Sequence, residues 1–208
     1  MDATNLFLNC KLVPVLNISD TDIAVDLISC LVDCGINAVE VTLRSPAGLP
    51  SIEIIANKFP EVLVGAGSVR NIQQLKLVKD CGSQFVVSPG FTPQLIDLAH
   101  KIEMPYIPGG CTATEVMQLM EYGYVLQKFF PAELSGGVAK LKALSAPLPE
   151  VQFMPTGGIT NSLVTQYLGL DCVSCVGGSW FVPDSLLIAK DFNKISELTK
   201  AALELCHE

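Results

Sequence analysis

Short apolar runs alternate with longer amphipathic segments along the chain. Eight runs of four to six residues are rich in the large apolar residues that fill buried strands. They predict strands at residues 12–16, 38–43, 62–66, 85–88, 104–107, 125–129, 151–155 and 173–176. The segments between them have helical apolar spacing and predict helices at residues 22–34, 51–58, 72–81, 93–101, 113–122, 137–144 and 162–168, with a closing helix inside residues 183–206.

Capping and turn residues support several of these boundaries. Ser19 or Asp20 can cap the first helix, and Asn71 can cap the helix predicted from the next residue. Gly35 and Gly82 follow the predicted ends of those two helices and can adopt the left-handed conformation that ends a helix. The segments are therefore separate elements rather than parts of longer helices.

The regular alternation of strands and helices predicts the fold class. Parallel strands joined through helices need right-handed crossovers, and eight such pairs in 208 residues fit a closed barrel. We therefore predict an α/β protein, a single-domain (β/α)8 TIM barrel over residues 1–208. Residues 1–10 form a short N-terminal extension or helix at the bottom of this barrel. An open doubly wound sheet is the alternative topology.

Composition and charge limit the partners. Half of the residues are hydrophobic and 16% are charged, as expected where parallel strands are buried on both faces. No apolar run has the length of a membrane span, and the N-terminus lacks the basic-then-apolar order of a signal peptide, so we predict a cytoplasmic protein. A net charge of −8 argues against a nucleic-acid partner but permits a small anionic substrate at a local positive site.

Eight cysteines are present, and a cytoplasmic location favours reduced thiols that act as small apolar residues. Cys172 and Cys175 have the CxxC spacing of redox and zinc motifs. They lie in an apolar, strand-like run with no second ligand pair nearby, whereas a structural zinc site needs four ligands. We therefore predict neither a metal site nor a cofactor.

Lys128 lies in the apolar run of residues 124–131. Strand alternation places Tyr124, Leu126, Lys128 and Phe130 on one face. One interpretation is structural: the lysine stem is covered and the ammonium group reaches water. The other is catalytic: burial disfavours the ammonium form, and a neutral amine can attack a ketone to form a Schiff base.

The second predicted strand carries polar side chains on one face. Glu40, Thr42 and Arg44 alternate with Val39 and Val41, so the polar face is expected to point into the barrel and its mouth. A structural Glu–Arg pair is one explanation, because a buried carboxylate needs a partner. A general acid/base beside an anion-binding arginine is the other.

Glycine and proline residues follow most of the predicted strands. The last two strands lead into Gly157-Gly158 and Gly177-Gly178. Backbone N–H groups of glycine turns can approach an anion closely, and barrels often bind phosphate at the loops after strands seven and eight. The sequence therefore predicts an anion site, with phosphate as the expected ligand, at these two turns.

Taken in order, these segments resemble the 2-keto-3-deoxy-6-phosphogluconate (KDPG) and 4-hydroxy-2-oxoglutarate (KHG) aldolase family, the class I aldolases of the Entner–Doudoroff route. The resemblance covers nearly the whole chain. The segments that carry it are Glu40-Val-Thr-Leu-Arg44, Gly65-Ala-Gly-Ser68, Ser88-Pro-Gly90, Lys128-Phe-Phe-Pro-Ala-Glu133, Pro155-Thr-Gly-Gly158 and Gly177-Gly-Ser-Trp180.

The resemblance implies a role for each matching residue. Lys128 is implied as the Schiff-base lysine and Glu40 as the general acid/base, acting with a bound water. The remaining implied contacts are Arg44, Ser68 and Pro89 at the substrate carboxylate, Phe130 and Thr156 near the reacting carbons, and Gly157, Gly158, Gly178 and Ser179 at the phosphate. The family usually has threonine where this chain has Ser68, which implies a looser pocket.

The resemblance further implies the reaction and the assembly. The expected reaction is reversible cleavage of KDPG to pyruvate and glyceraldehyde 3-phosphate, with KHG cleavage to pyruvate and glyoxylate as a second activity. A homotrimer is implied, with no metal or other cofactor. The alternatives are the aldolase for the galactonate epimer, a phosphate-binding barrel isomerase or decarboxylase without a covalent step, and a catalytically silent sugar-phosphate-binding barrel.

Overall fold

The computed structural model describes residues 3–8 and 10–206. The strands of this part are β1 Leu12–Leu16, β2 Ala38–Thr42, β3 Leu63–Gly67, β4 Phe85–Val87, β5 Tyr106–Ile107, β6 Leu126–Phe129, β7 Gln152–Pro155 and β8 Val176–Gly178. Its α-helices are α1 Ala24–Asp33, α2 Gly48–Lys58, α3 Ile72–Asp80, α4 Pro93–Lys101, α5 Ala113–Glu121, α6 Gly137–Ser145, α7 Asn161–Leu168, α8 Asp184–Ala189 and α9 Phe192–Glu204.

The strands are parallel and form a closed ring. Six of them pair in the order β5-β4-β3-β2-β1-β8, and β6 pairs with β7. Two bridges close the remaining seams, Gly109 with Lys128 between β5 and β6, and Thr156 with Gly177 between β7 and β8. The predicted (β/α)8 barrel is therefore confirmed, and the open doubly wound sheet was the wrong alternative.

Apolar side chains fill two layers of the fold. The larger layer lies between the strands and the surrounding helices and contains Val39 and Val41. The smaller layer fills the barrel interior, where Phe7 packs edge-on against Phe85 with ring centroids 5.0 Å apart. Phe7 belongs to a short 3-10 helix, Thr4–Phe7, that packs into the barrel, whereas Asp2 and Asn9 of the predicted N-terminal segment lie outside the described residues.

The predicted caps are observed where the sequence placed them. The Asn71 side chain accepts a hydrogen bond from the Gln74 N–H at the start of α3. Asp20 caps a short 3-10 helix, Thr21–Ile23, that leads into α1. Gly35 and Gly82 both adopt positive φ angles, +99° and +85°, just after the helices they end.

Three predicted elements were wrong in detail: α2, which begins at Gly48 rather than at residue 51, the closing helix and the last strand. The single closing helix is divided into α8 and α9, because Lys190 adopts a left-handed conformation and Asp191 caps α9 through the Lys194 N–H. The last strand begins three residues later and ends two residues later than predicted. Its glycines pair with β1 instead of turning, Gly177 with Val13 and Gly178 with Pro14.

Among the described residues, no helix combines the length and the hydropathy needed to cross a bilayer.

Candidate active site

A cavity of about 500 Å³ opens at the C-terminal ends of the strands. This is the end at which barrel enzymes place their catalytic groups. Every site residue named from the sequence lines it: Glu40, Arg44, Ser68, Pro89, Lys128, Phe130, Thr156, Gly157, Gly158, Gly178 and Ser179. The structure therefore brings together residues from loops and strands all around the ring.

Lys128 and Glu40 meet at the base of this cavity. Lys128 Nζ donates to Glu40, at 3.2 Å from Oε1 and 3.5 Å from Oε2. Glu40 is fully buried and Lys128 is 5% exposed. The Lys128 backbone is fixed as well, since its N–H donates to Pro108 O at 2.8 Å and its carbonyl accepts from Gly110 N at 2.9 Å. The amine and the carboxylate are thus held in direct contact with each other.

The room for the Glu40 carboxylate comes from β3. Thr42 pairs with Gly67 in the β2–β3 register, which brings Gly67 alongside the Glu40 side chain. A Cβ atom at Gly67 would lie only 2.1 Å from Glu40 Oε1. Glycine is therefore required here by close approach rather than by a turn.

Arg44, Ser68 and Pro89 lie on the adjoining wall. Arg44 Nε donates to Thr42 Oγ1 at 3.3 Å, which directs the guanidinium along the inward face of β2. Ser68 has a φ of +61°, a left-handed conformation unusual for a residue with a side chain. Next to Pro89, the Ser88 hydroxyl donates to Val69 O at 2.5 Å and ties the loop after β4 to the loop after β3.

Phe130 and Thr156 flank the lysine. The Phe130 ring centroid lies 5.3 Å from Lys128 Nζ, which is within the range of a cation–π contact. Tyr124 was predicted to share this face and does not. It stacks on His100 of α4, at 5.3 Å between ring centroids, because β6 begins only at Leu126 and strand alternation does not extend back to residue 124.

The residues predicted to bind an anion, Gly157, Gly158, Gly178 and Ser179, line the cavity from the loop after β7 and from the end of β8. Gly157 and Gly158 have successive positive φ angles of +104° and +80°, a conformation that only glycine adopts without strain. The Glu133 N–H donates to Gly157 O at 3.1 Å, and the Tyr167 hydroxyl donates to the Glu133 carboxylate. Burial, followed by this carboxylate, raises the pKa of Tyr167, so the hydroxyl keeps the proton that it donates.

The sequence interpretation assigned no role to several residues that line the cavity. Thr42 was placed on the correct face without a function, and Arg70, Val15, Leu43 and Ile159 were given no role in the site. The rarity of arginine in the sequence could have marked Arg70 as a candidate site residue. The chain has only two arginines, Arg44 and Arg70, among its 208 residues.

A family model described as KDPG and KHG aldolase matches residues 4–198. The chain belongs to this aldolase family. It is similar to the KHG/KDPG aldolase of Escherichia coli strain K12, at 42% identity over 202 residues, covering 97% of this chain and 95% of the relative. Fold, order of motifs and cavity lining all agree with membership of the family.

Two solved structures of KDPG aldolases are also similar. The Legionella pneumophila aldolase superposes with a TM-score of 0.94 at 39% identity, covering 97% of this chain and 98% of that one. Its structure contains pyruvate captured as a covalent carbinolamine intermediate. The Zymomonas mobilis ZM4 aldolase, solved with 3-phosphoglycerate, gives a TM-score of 0.91 at 38% identity, covering 97% of this chain and 94% of that one.

The arrangement can support carbonyl chemistry on an anionic substrate. The cavity is lined by a buried amine next to a carboxylate, by two arginines, and by Gly157, Gly158 and Gly178. Among residues 3–8 and 10–206, no group of three or more His, Cys, Asp or Glu side chains could hold a metal ion. All eight cysteines are free thiols, and none lines this cavity.

Proposed function

We propose that the chain is a class I aldolase that reversibly cleaves KDPG to pyruvate and glyceraldehyde 3-phosphate. The observation that carries this proposal is the buried contact between Lys128 Nζ and Glu40 Oε1, 3.2 Å long, at the base of the cavity. Membership of the KDPG and KHG aldolase family supports it. A lysine in such a place is suited to Schiff-base formation.

The chemistry follows from these two groups. Glu40 accepts a proton from Lys128, and the neutral amine attacks the C2 ketone of the substrate. Glu40 then returns this proton to the C2 hydroxyl, which leaves as water and gives an iminium ion beside an ionised Glu40. A water held by Glu40 takes the proton of the C4 hydroxyl, and the C3–C4 bond breaks with its electron pair moving toward the iminium nitrogen. Protonation of the enamine at C3 and hydrolysis release pyruvate and restore the amine. Positioned acid/base groups of this kind contribute about 10²–10⁴-fold to a rate.

The other cavity residues bind and orient the substrate in this proposal. Arg44, Ser68 and Pro89 hold the carboxylate end, with Arg44 supplying a charge-assisted hydrogen bond. Phe130 packs beside the imine and Thr156 supports the reacting carbons. At the far end, Gly157, Gly158, Gly178 and Ser179 bind the phosphate through backbone N–H groups and the serine hydroxyl.

KHG cleavage to pyruvate and glyoxylate is the second candidate activity. The similar Escherichia coli protein is named for both substrates. The two reactions share the pyruvate half, so Lys128, Glu40 and Arg44 serve both in the same way. The phosphate loops contribute only to the larger substrate.

The proposal extends to a homotrimer in the cytoplasm. The homotrimer is supported by the family resemblance, and the cytoplasm by substrates that are phosphorylated metabolic intermediates. Analytical ultracentrifugation of the intact chain tests the assembly. A single species of three times the chain mass is expected, and a stable monomer at micromolar concentration would contradict a trimer.

A pyruvate-release assay tests the activity. Lactate dehydrogenase and NADH report the pyruvate that is formed from KDPG. The assay compares the wild type with Lys128→Ala and with Lys142→Ala, a matched control because Lys142 is an exposed residue of α6. We expect release by the wild type and Lys142→Ala and none above background by Lys128→Ala. Equal rates in the wild type and Lys128→Ala would refute the covalent mechanism and favour a barrel enzyme without an imine.

A further inference from the structure

Both arginines of the chain line the same cavity. The chain also has eleven lysines. Of these, only Lys128 lines the cavity. Lysine and arginine are interchangeable on a solvated surface, but only the guanidinium group can bind a carboxylate through two parallel hydrogen bonds. Arg44 already has a proposed role at the substrate carboxylate, and Arg70 has none.

The backbone around Arg70 is held on both sides. Its own N–H donates to Gln74 Oε1 at 2.8 Å, inside the first turn of α3. The preceding residue, Val69, accepts the Ser88 hydroxyl at 2.5 Å, and its N–H donates to Val87 O at 3.2 Å. The Arg70 side chain therefore extends from a fixed turn, so little backbone freedom is lost when it binds a ligand.

The guanidinium groups have no acidic partner in the protein. Among the residues that the structure describes, no carboxylate lies within 4.0 Å of the Arg44 or Arg70 guanidinium nitrogens. Glu40, the only acid among the described residues lining the cavity, is already paired with Lys128. Two solvent-exposed arginines without an acidic partner thus line one cavity in a chain whose net charge is −8.

Ring position indicates which end of the substrate Arg70 contacts. Arg44 follows β2 and Arg70 follows β3, and these strands are neighbours. Gly157 and Gly158 follow β7, and β7 lies opposite β3 in a ring of eight strands. Arg70 also follows Ser68 by two residues and shares a second, smaller cavity with Pro89. It therefore lies at the carboxylate end and across the barrel mouth from the phosphate loops.

We propose that Arg70 is a further substrate-binding residue that joins Arg44 in holding the carboxylate of the 2-keto acid. This inference rests on the proposed aldolase function and deepens it. A pair of guanidinium groups sets a preference for 2-keto acids over neutral ketones, because an uncharged ligand gains nothing from either group. The site would thus select the pyruvate half of its substrates by charge before the imine forms.

Imine trapping at graded ligand concentration tests the role of Arg70. The wild type, Arg70→Gln, Arg70→Lys and Lys76→Gln are incubated with pyruvate or with its uncharged methyl ester. Each sample is then reduced with borohydride, and the modified fraction is measured by intact-protein mass. Lys76→Gln is the matched control, because Lys76 is an exposed cation of α3 outside the cavity.

We expect Arg70→Gln to raise the half-saturating pyruvate concentration by about tenfold or more, the loss typical of one charge-assisted hydrogen bond. Arg70→Lys should raise this concentration less than Arg70→Gln does, and Lys76→Gln should leave it at the wild-type value. For the methyl ester, the half-saturating concentration should change less than twofold in every variant. An unchanged pyruvate dependence, or equal shifts for acid and ester, overturns the role of Arg70 while the aldolase proposal stands. A wild type that forms no adduct overturns both.

Discussion

Lys128 Nζ and Glu40 Oε1 are 3.2 Å apart although 88 residues separate them in the sequence. The two side chains come from β6 and β2, which lie on opposite sides of the barrel ring. Each crosses the barrel interior to reach the other, and both are buried there. A buried ion pair contributes little to stability on average, and removing one partner leaves the other without compensation. Stability alone therefore does not account for the pair, which agrees with the catalytic role that we propose for it.

Glu40→Gln tests the acid/base role. The amide keeps the size of the side chain but cannot accept the proton that must leave the C4 hydroxyl. We expect the turnover of KDPG to fall by about 10²–10⁴-fold while borohydride still traps pyruvate on Lys128. Glu53→Gln, on α2 outside the cavity, should retain wild-type turnover. The acid/base assignment fails if Glu40→Gln cleaves KDPG as fast as the wild type.

Gly67→Ala tests whether the position of the carboxylate matters. The new methyl group would lie 2.1 Å from Glu40 Oε1 and must displace that side chain from Lys128. We expect a loss of turnover of at least about tenfold, since small displacements of catalytic groups are costly. Gly90→Ala is the control, because a Cβ there meets no atom within 4 Å. Comparable kcat values for the two variants would show that the close approach is unimportant.

Tyr167→Phe tests the support of the phosphate loop. It removes the hydrogen bond to Glu133, whose N–H donates to Gly157 O at 3.1 Å. We expect the KM for KDPG to rise by severalfold and the KM for KHG, which carries no phosphate, to stay the same. Steady-state kinetics with both substrates measure the ratio of the KM for KDPG to the KM for KHG in the variant and in the wild type. A parallel rise in both KM values would argue against a specific effect on the phosphate loop.

Tyr106→Phe tests a pH dependence of stability. Burial raises the pKa of Tyr106 from about 10 to about 12. Between these pH values the unfolded chain loses the phenolic proton more readily than the folded protein, so the stabilisation present below pH 10 is lost as pH rises. A shift of this size corresponds to about 3 kcal/mol. Tyr106→Phe should make the alkaline fall in unfolding free energy shallower.

Urea unfolding at a series of pH values from about 9 to 12 measures this slope. Tyr122→Phe is the matched control, because the Tyr122 side chain is 38% exposed. Its curve should parallel that of the wild type. If the Tyr106→Phe curve is also parallel to the wild type, burial of the Tyr106 hydroxyl does not control the alkaline limit of stability.

Much of the fold could be predicted because its signals are local. Strand and helix periodicity, caps and glycines lie within a few residues of the elements that they define, and β1 and α4 match their predicted bounds. Lys128 and Glu40 could be singled out for the same reason: each is the single charged residue of its strand. The contact between the two side chains, however, could not be predicted from either strand alone, because it depends on how the barrel closes.

The errors arose where tertiary contacts override local signals. Gly177 and Gly178 were interpreted as a turn, yet they pair with β1 as part of β8. Thr156 and Trp180 occupy the space that side chains at these two positions would need, so glycine is required here by close approach rather than by a turn. Lys190 interrupts the last helix in a left-handed conformation that its residue type does not favour. Arg70 resembles an ordinary loop cation until the ring of strands brings its loop to the cavity.

The Schiff base is the central claim, and peptide mapping after borohydride reduction tests it most directly. The protein is reduced with pyruvate present, digested, and searched by mass spectrometry for the pyruvate adduct at each of its eleven lysines. We predict stoichiometric modification of Lys128 alone, and no adduct in Lys128→Ala. An unmodified Lys128 under conditions in which KDPG is cleaved, or modification spread over surface lysines, would contradict the proposed mechanism.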